Sequence, residues 1–166
     1  MLFRSALWAA GEQHGIRDFG IYAVDSLRLD KGYRGWKGDV EIGFSPFDAS
    51  LDRFVDLTKG DFVGKAALVA EQASGSPWRF VSMTLDEPGE ADAPALSSIF
   101  DGDERVGLVT SGGWSFTLGA SIALGYVRPK YEAPGTKVTV LVHGERMTAT
   151  VGREPLYDPD NSRLRA

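Results

Sequence analysis

The chain has 166 residues, of which 43% are hydrophobic and none is cysteine, and its formal net charge is -5. This length and apolar content suit one ordinary domain or two small pieces around a real core, and the interleaving of Lys and Arg with Asp and Glu excludes nonspecific nucleic-acid binding while leaving a small acidic or zwitterionic ligand open. Disulfides, thiolate catalysis and cysteine-bound metals are excluded, and no apolar run approaches the roughly 20 residues that span a bilayer, so no membrane partner and a cytoplasmic or organelle-matrix location are the default expectations.

From Leu2 to His14, Phe3, Leu7, Trp8 and Ala10 recur on one side at helical spacing, and Gly15 stands where a C-terminal cap belongs, which predicts an amphipathic helix. Between Ile21 and Leu29 the periodicity leaves strand and helical turn both open, with Asp25 and Ser26 able to cap a short turn. Gly32, Gly35, Gly38 and Gly43 make Lys31 to Phe47 an irregular loop, the kind of segment that often carries sites. A helix is expected over Phe62 to Gln72, capped by Thr58 or Asp61 and facing inward through Phe62, Leu68 and Val69; a break of small residues, Ala73 to Pro77, follows.

Beyond that break the period falls to two. Arg79 to Leu85, Val106 to Val109, Ser121 to Val127, Thr136 to Val142 and Glu145 to Val151 read as short strands of a closed or nearly closed antiparallel barrel, self-sufficient from Trp78 to Tyr157. His143-Gly144-Glu145 reads as a tight hairpin, and Ser111-Gly112-Gly113 as a turn at the barrel rim, since no Gly-Lys-Ser/Thr follows to cradle a phosphate. His14 and His143 lie in a helix end and a turn, and no serine has a nucleophile-elbow context, so neither a hydrolytic triad nor a metal site is expected.

The dodecapeptide Asp25-Ser-Leu-Arg-Leu-Asp-Lys-Gly-Tyr-Arg-Gly-Trp36, then Lys59-Gly-Asp-Phe-Val-Gly-Lys-Ala-Ala-Leu68, Val109-Thr-Ser-Gly-Gly113, Ala123-Leu-Gly-Tyr-Val127 and Pro155-Leu-Tyr-Asp-Pro159 follow one another in order. This series resembles the folate-dependent aminomethyltransferase family, which includes the glycine cleavage T-protein, and the Lys-Gly-Tyr-Arg-Gly-Trp wording leans toward the folate-binding portions of dimethylglycine and sarcosine dehydrogenases. The resemblance implies an α+β chain: residues 1–60 as the C-terminal piece of the folate-binding first domain, 61–76 as a linker helix and connector, and 77–166 as an antiparallel β-barrel. It also implies that Met1 falls inside the family's first domain, so that the chain is the C-terminal portion of a larger or split enzyme. The acid that handles the amine would then lie outside it.

The implied function is transfer of a one-carbon unit from a methylamine or aminomethyl donor to tetrahydrofolate, inactive without an N-terminal half. The alternative, a noncatalytic barrel, would assemble with a flavoprotein subunit of a dimethylglycine or sarcosine dehydrogenase complex. Either way a homo-oligomer or a complex is expected, because Phe3, Leu7, Trp8 and Ile21 lack cover.

Tyr33, Arg34 and Trp36, with Asp39 in the family's Gly-x-Asp position, are the candidate ligand contacts, since a pterin needs a flat surface to stack on and polar groups for its edge. The competing reading has Tyr33 and Trp36 anchoring the loop while Arg34 and Asp39 form a structural ion pair; Arg28 is expected to bind a buried backbone or carboxylate group. Asp30 should be replaceable and Asp39 should not. The T-protein pattern places an Arg for the folate tail where Val24 stands here, and Arg163 is the residue that would supply positive charge instead.

Overall fold

In a computed structural model that describes residues 2–87 and 89–166, three helices precede six strands. α1 (Leu2–Gly11) continues into a 3-10 turn, Glu12–His14, and stops at Gly15, whose φ of 70° closes the segment as the sequence predicts. No residue of α1 is buried: Leu2 and Phe3 are 90% and 78% exposed. No helix among the described residues is long and apolar enough to cross a membrane.

α2 (Ile21–Asp30) resolves the ambiguity around Ile21 in favour of a helix, with Gly20 at its N-cap. Asp25 and Ser26 therefore sit mid-helix and cap nothing. The Asp25 carboxylate accepts from Arg28 Nε at 3.3 Å, and Ser26 Oγ donates to the Trp114 carbonyl at 3.0 Å, fastening the helix to the barrel.

α3 (Lys65–Ser74) begins later than predicted, after Gly64 in a left-handed conformation (φ 91°) and with no side-chain cap. Thr58 is held in a local turn instead, its N–H and hydroxyl donating to Asp56 Oδ1. The expected inward trio is not buried: Phe62 and Leu68 are half-covered and Val69 is 47% exposed.

β1 (Arg79–Leu85), β2 (Ser98–Asp101), β3 (Glu104–Ser115), β4 (Ala120–Val127), β5 (Lys137–Val142) and β6 (Glu145–Val151) close an antiparallel barrel in the order β1-β4-β3-β2-β5-β6. β1 seals it, pairing with β4 on one side and β6 on the other. Closure leaves no free sheet edge. His143 and Gly144 both adopt positive φ, as a two-residue hairpin between right-twisted strands requires. β2 was not foreseen, and Ser111 to Gly113 do not form a rim turn: they continue β3 past a bulge between Val109 and Ser111.

The interior is filled by Met83, Ile99, Val106, Val109, Ala123, Val140, Ala149 and Val151. β4 is buried on both faces, which explains its unbroken apolar run. Its Ala123 and Val127 point inward, and its Ile122, Leu124 and Tyr126 form a second cluster with Phe80 and with Leu29 of α2, flanked by Phe44 of the loop. This outer cluster seats α2 and the loop after it on the barrel wall.

Candidate functional site

The loop is organised by one buried carboxylate. Asp39 Oδ2 accepts from Arg28 Nη1 and from the Gly35 N–H, both at 2.7 Å; Oδ1 accepts from Ser111 Oγ at 2.7 Å and from Thr110 Oγ1. The Asp39 carbonyl accepts the Tyr126 hydroxyl at 2.8 Å. Burial pushes the Tyr126 phenol well above its usual range, because a phenolate there would be desolvated, so the group remains a neutral donor. Phe44 stacks on the Tyr126 ring at 3.7 Å between centroids. Arg28 thus binds a buried carboxylate and the Tyr33 carbonyl, as its sequence context predicts.

The predicted Arg34–Asp39 ion pair does not form. Arg34 turns the other way: Nη1 donates to the Gly32 carbonyl at 2.9 Å and to the Glu154 carboxylate, Nε to the Ala49 carbonyl at 3.2 Å, and the guanidinium lies 4.5 Å from the Phe80 ring centroid. Burial pushes the Glu154 carboxyl upward, and the adjoining Arg34 opposes that shift. Gly32 is required here, for its φ is +61° and a Cβ would stand 3.0 Å from Glu154 Oε1.

A cleft of about 510 Å³ borders this network at Arg28, Thr110 and Ser111, and two more open on the side of Tyr33. A polar one of about 470 Å³ is lined by Lys31, Tyr33, Arg34, Arg53, Arg79 and Glu154. An apolar one of about 520 Å³ is lined by Phe19, Val24, Leu27, Tyr33, Tyr157 and Arg163. Lys31 and Tyr33 line both, so the two clefts adjoin across these side chains as the halves of one trough. Such a shape takes an elongated ligand with a flat apolar part and an anionic end.

Of the predicted contacts, Tyr33, Arg34 and Arg163 line the trough, and Arg163 shares a wall with Val24. Trp36 stands outside it, 71% exposed and bridged to Val40, while Asp39 lies beneath the loop and lines neither cleft. Sequence reasoning passed over Lys31, Arg53, Arg79, Tyr157 and Glu154. Lys31 and Tyr157 sit inside recognisable blocks, whereas Arg53 and Arg79 are isolated basic residues without a local pattern. Among the described residues no group of three His, Cys, Asp or Glu is placed to hold a metal.

Residues 79–158 match the glycine cleavage T-protein C-terminal barrel domain, and residues 3–59 match the GCVT N-terminal domain. The chain belongs to the glycine cleavage T-protein family. It is 36% identical over 162 residues to mitochondrial dimethylglycine dehydrogenase of Homo sapiens, covering 96% of this chain and 19% of that protein. To an aminomethyltransferase of Streptomyces coelicolor it is 40% identical over 156 residues, covering 92% of this chain and 42% of the relative. The crystal structure of glycine cleavage system aminomethyltransferase T from Bartonella henselae superposes with a TM-score of 0.85 at 26% identity, over 94% of this chain and 44% of that one. The chain therefore spans under half the length of these relatives, and its barrel and α+β class are those of the family.

Proposed function

We propose that this chain forms the tetrahydrofolate-binding wall of an aminomethyltransferase, in which a one-carbon unit passes from a methylamine or aminomethyl donor to folate. The observation that carries this reading is that a polar, arginine-lined cleft and an apolar, tyrosine-lined cleft adjoin at Lys31 and Tyr33. Folate is a chain of flat rings ending in a glutamate tail. The apolar cleft, with Tyr33 and Tyr157 on its walls, suits the rings; Arg34, Arg53 and Arg79 suit the tail carboxylates. Arg163, beside Val24, adds positive charge to the wall of the apolar cleft.

Tetrahydrofolate supplies the nitrogen nucleophile, and this chain's residues orient it and exclude water. Fixing two reactants against each other is worth roughly 7–11 kcal/mol of barrier. The carboxylates at the trough are committed to cations: Asp52 to Arg79, Glu154 to Arg34 and Asp158 to Lys31. None is free to steady an iminium cation, so that acid comes from outside these residues and the chain by itself binds weakly and turns nothing over.

Titration of the labelled chain with tetrahydrofolate, followed by NMR, should shift Tyr33, Tyr157 and Arg163 together with weaker than micromolar affinity, and Arg53→Met with Arg79→Met should abolish the response. Shifts confined elsewhere would refute the site, and measurable turnover by this chain alone would refute the division of roles. A second reading, the noncatalytic module that docks on a flavoprotein subunit, is favoured by the uncovered α1 face of Leu2, Phe3 and Leu7. Co-purification with a flavoprotein and no folate response would support it.

A further inference from the structure

Lys31, the residue that follows α2, reaches a segment 126 to 130 positions further along the chain. Its Nζ donates to the Asp158 carbonyl at 2.8 Å, to Asn161 Oδ1 at 2.8 Å and to the Tyr157 carbonyl at 3.3 Å, with Asp158 Oδ2 at 3.7 Å. Three convergent oxygens match the three donors of an ammonium. The site is well covered: the Lys31 and Asp158 side chains are 16% and 6% exposed. Beside it, the Tyr157 N–H donates to the Asp30 carbonyl at 3.0 Å.

The order continues beyond the cage. Asp158 Oδ1 accepts the Ser162 N–H and hydroxyl, both at 2.8 Å, and the Arg163 N–H at 3.4 Å. Asp158 and Asn161 hold φ of 47° and 55°, left-handed values that Asp and Asn adopt more readily than other side-chain-bearing residues and that suit a tight turn. The Asn161 N–H closes the turn on the Asp158 carbonyl at 3.0 Å, and the Lys31 ammonium ties the same two residues to the end of α2.

We propose that Lys31 is the positioning residue of the trough: its ammonium fixes the turn around residues 157–161 and, through Asp158, the backbone of Arg163, so that Tyr157 and Arg163 stand as a wall of the apolar cleft. An arginine does not replace it, because a planar fork cannot aim three donors at one small cage. The inference rests on the proposed function only for the identity of the ligand.

The test is amide exchange by NMR on the full chain, comparing the parent with Lys31→Met, Lys31→Arg and the milder Asn161→Ala. Loss of charge-assisted hydrogen bonds should speed exchange at Ser162 and Arg163 by about tenfold or more in both Lys31 variants, with a smaller effect of the same sign in Asn161→Ala. Exchange at Ile122 and Leu124 in the barrel should stay within about twofold. Tetrahydrofolate affinity should fall several-fold in Lys31→Met, with no further loss when Arg163→Met is added, because the wall is already gone. Unchanged exchange at Ser162 and Arg163, or acceleration spread equally through the barrel, would overturn the proposal. A parent chain that shows no folate response refutes the ligand reading instead, and the exchange data still decide the role of Lys31.

Discussion

Truncating Asp39 to alanine is expected to cost about 3–5 kcal/mol, the range for breaking a buried ion pair by removing one partner. The carboxylate is fully buried and gathers four donors from three parts of the chain: Arg28 of α2, Gly35 of the loop, and Thr110 and Ser111 of β3. Each bond to a charged group is worth about 1.5–3 kcal/mol on its own, but the four are not additive, since Arg28 is 22% exposed and recovers some hydration. For a chain of this size 1 kcal/mol moves the melting temperature by about 2–4 °C, so the expected fall is roughly 6–20 °C. Circular-dichroism melting measures it, with Asp30→Ala as the control. Asp30 is as buried as Asp39, yet neither of its carboxylate oxygens has a hydrogen-bond partner in the structure. Its truncation removes an unsatisfied polar group and should change stability by no more than about 1 kcal/mol. A fall below about 2 °C for Asp39→Ala, or equal falls for the two variants, would refute this account of the loop.

Gly125→Ala should destabilise by about 1–3 kcal/mol in chemical denaturation, because its Cβ would collide with the Leu108 carbonyl and lie 2.9 Å from Val109 Cα, whereas Gly60→Ala, with open space around it, should be neutral; equal effects would show that the strands shift to accommodate it. Burial raises the Asp158 carboxyl, but the Ser162 side chain and the Arg163 and Ser162 backbone N–H groups outweigh it, with Lys31 adding to them, and hold it below the ordinary 3.8. The unfolded chain then takes up the proton first, so this contribution is present above about pH 3.8 and lost as pH falls through the native value; an Asp158→Asn variant should lack that part of the acid limb, and an identical limb would count against it. The uncovered α1 face should drive self-association or partner capture, so Phe3→Ser with Leu7→Ser should shift sedimentation toward monomer, and a parent chain that is monomeric at all concentrations would argue against it.

Local signals carried most of the barrel. β1 and β6 begin and end where alternation and turn residues place them, since each runs between clear breaks and sets one face on the core. β2 escaped because four residues, Ser98 to Asp101, are too few to show a period. Ser111 to Gly113 were misread because glycine suggests a turn, while here the missing Cβ admits another stretch of chain: at Gly112 a side chain would strike the Ala93 carbonyl. At the site, the aromatic and basic residues of the dodecapeptide were visible, but their partners were not. Arg34 pairs with Glu154, 120 positions away, and Asp39 pairs with Arg28 and with Ser111, 72 away. Charge complementarity over such separations has no periodicity to betray it.

The outer cluster on β4 bears on how this chain can be recombined with its relatives. The connector around residues 75–78 interrupts no helix or strand and looks like a natural junction for chimeras. Yet a barrel grafted from that point alone would turn Phe80, Ile122, Leu124 and Tyr126 toward water, at about 1.5–3 kcal/mol for each large apolar side chain uncovered. A transplant that carries Leu29 and Phe44 along with the barrel keeps its outer wall dry. Exchange between family members should therefore succeed when it moves α2, the glycine-rich loop and the strands as one cassette.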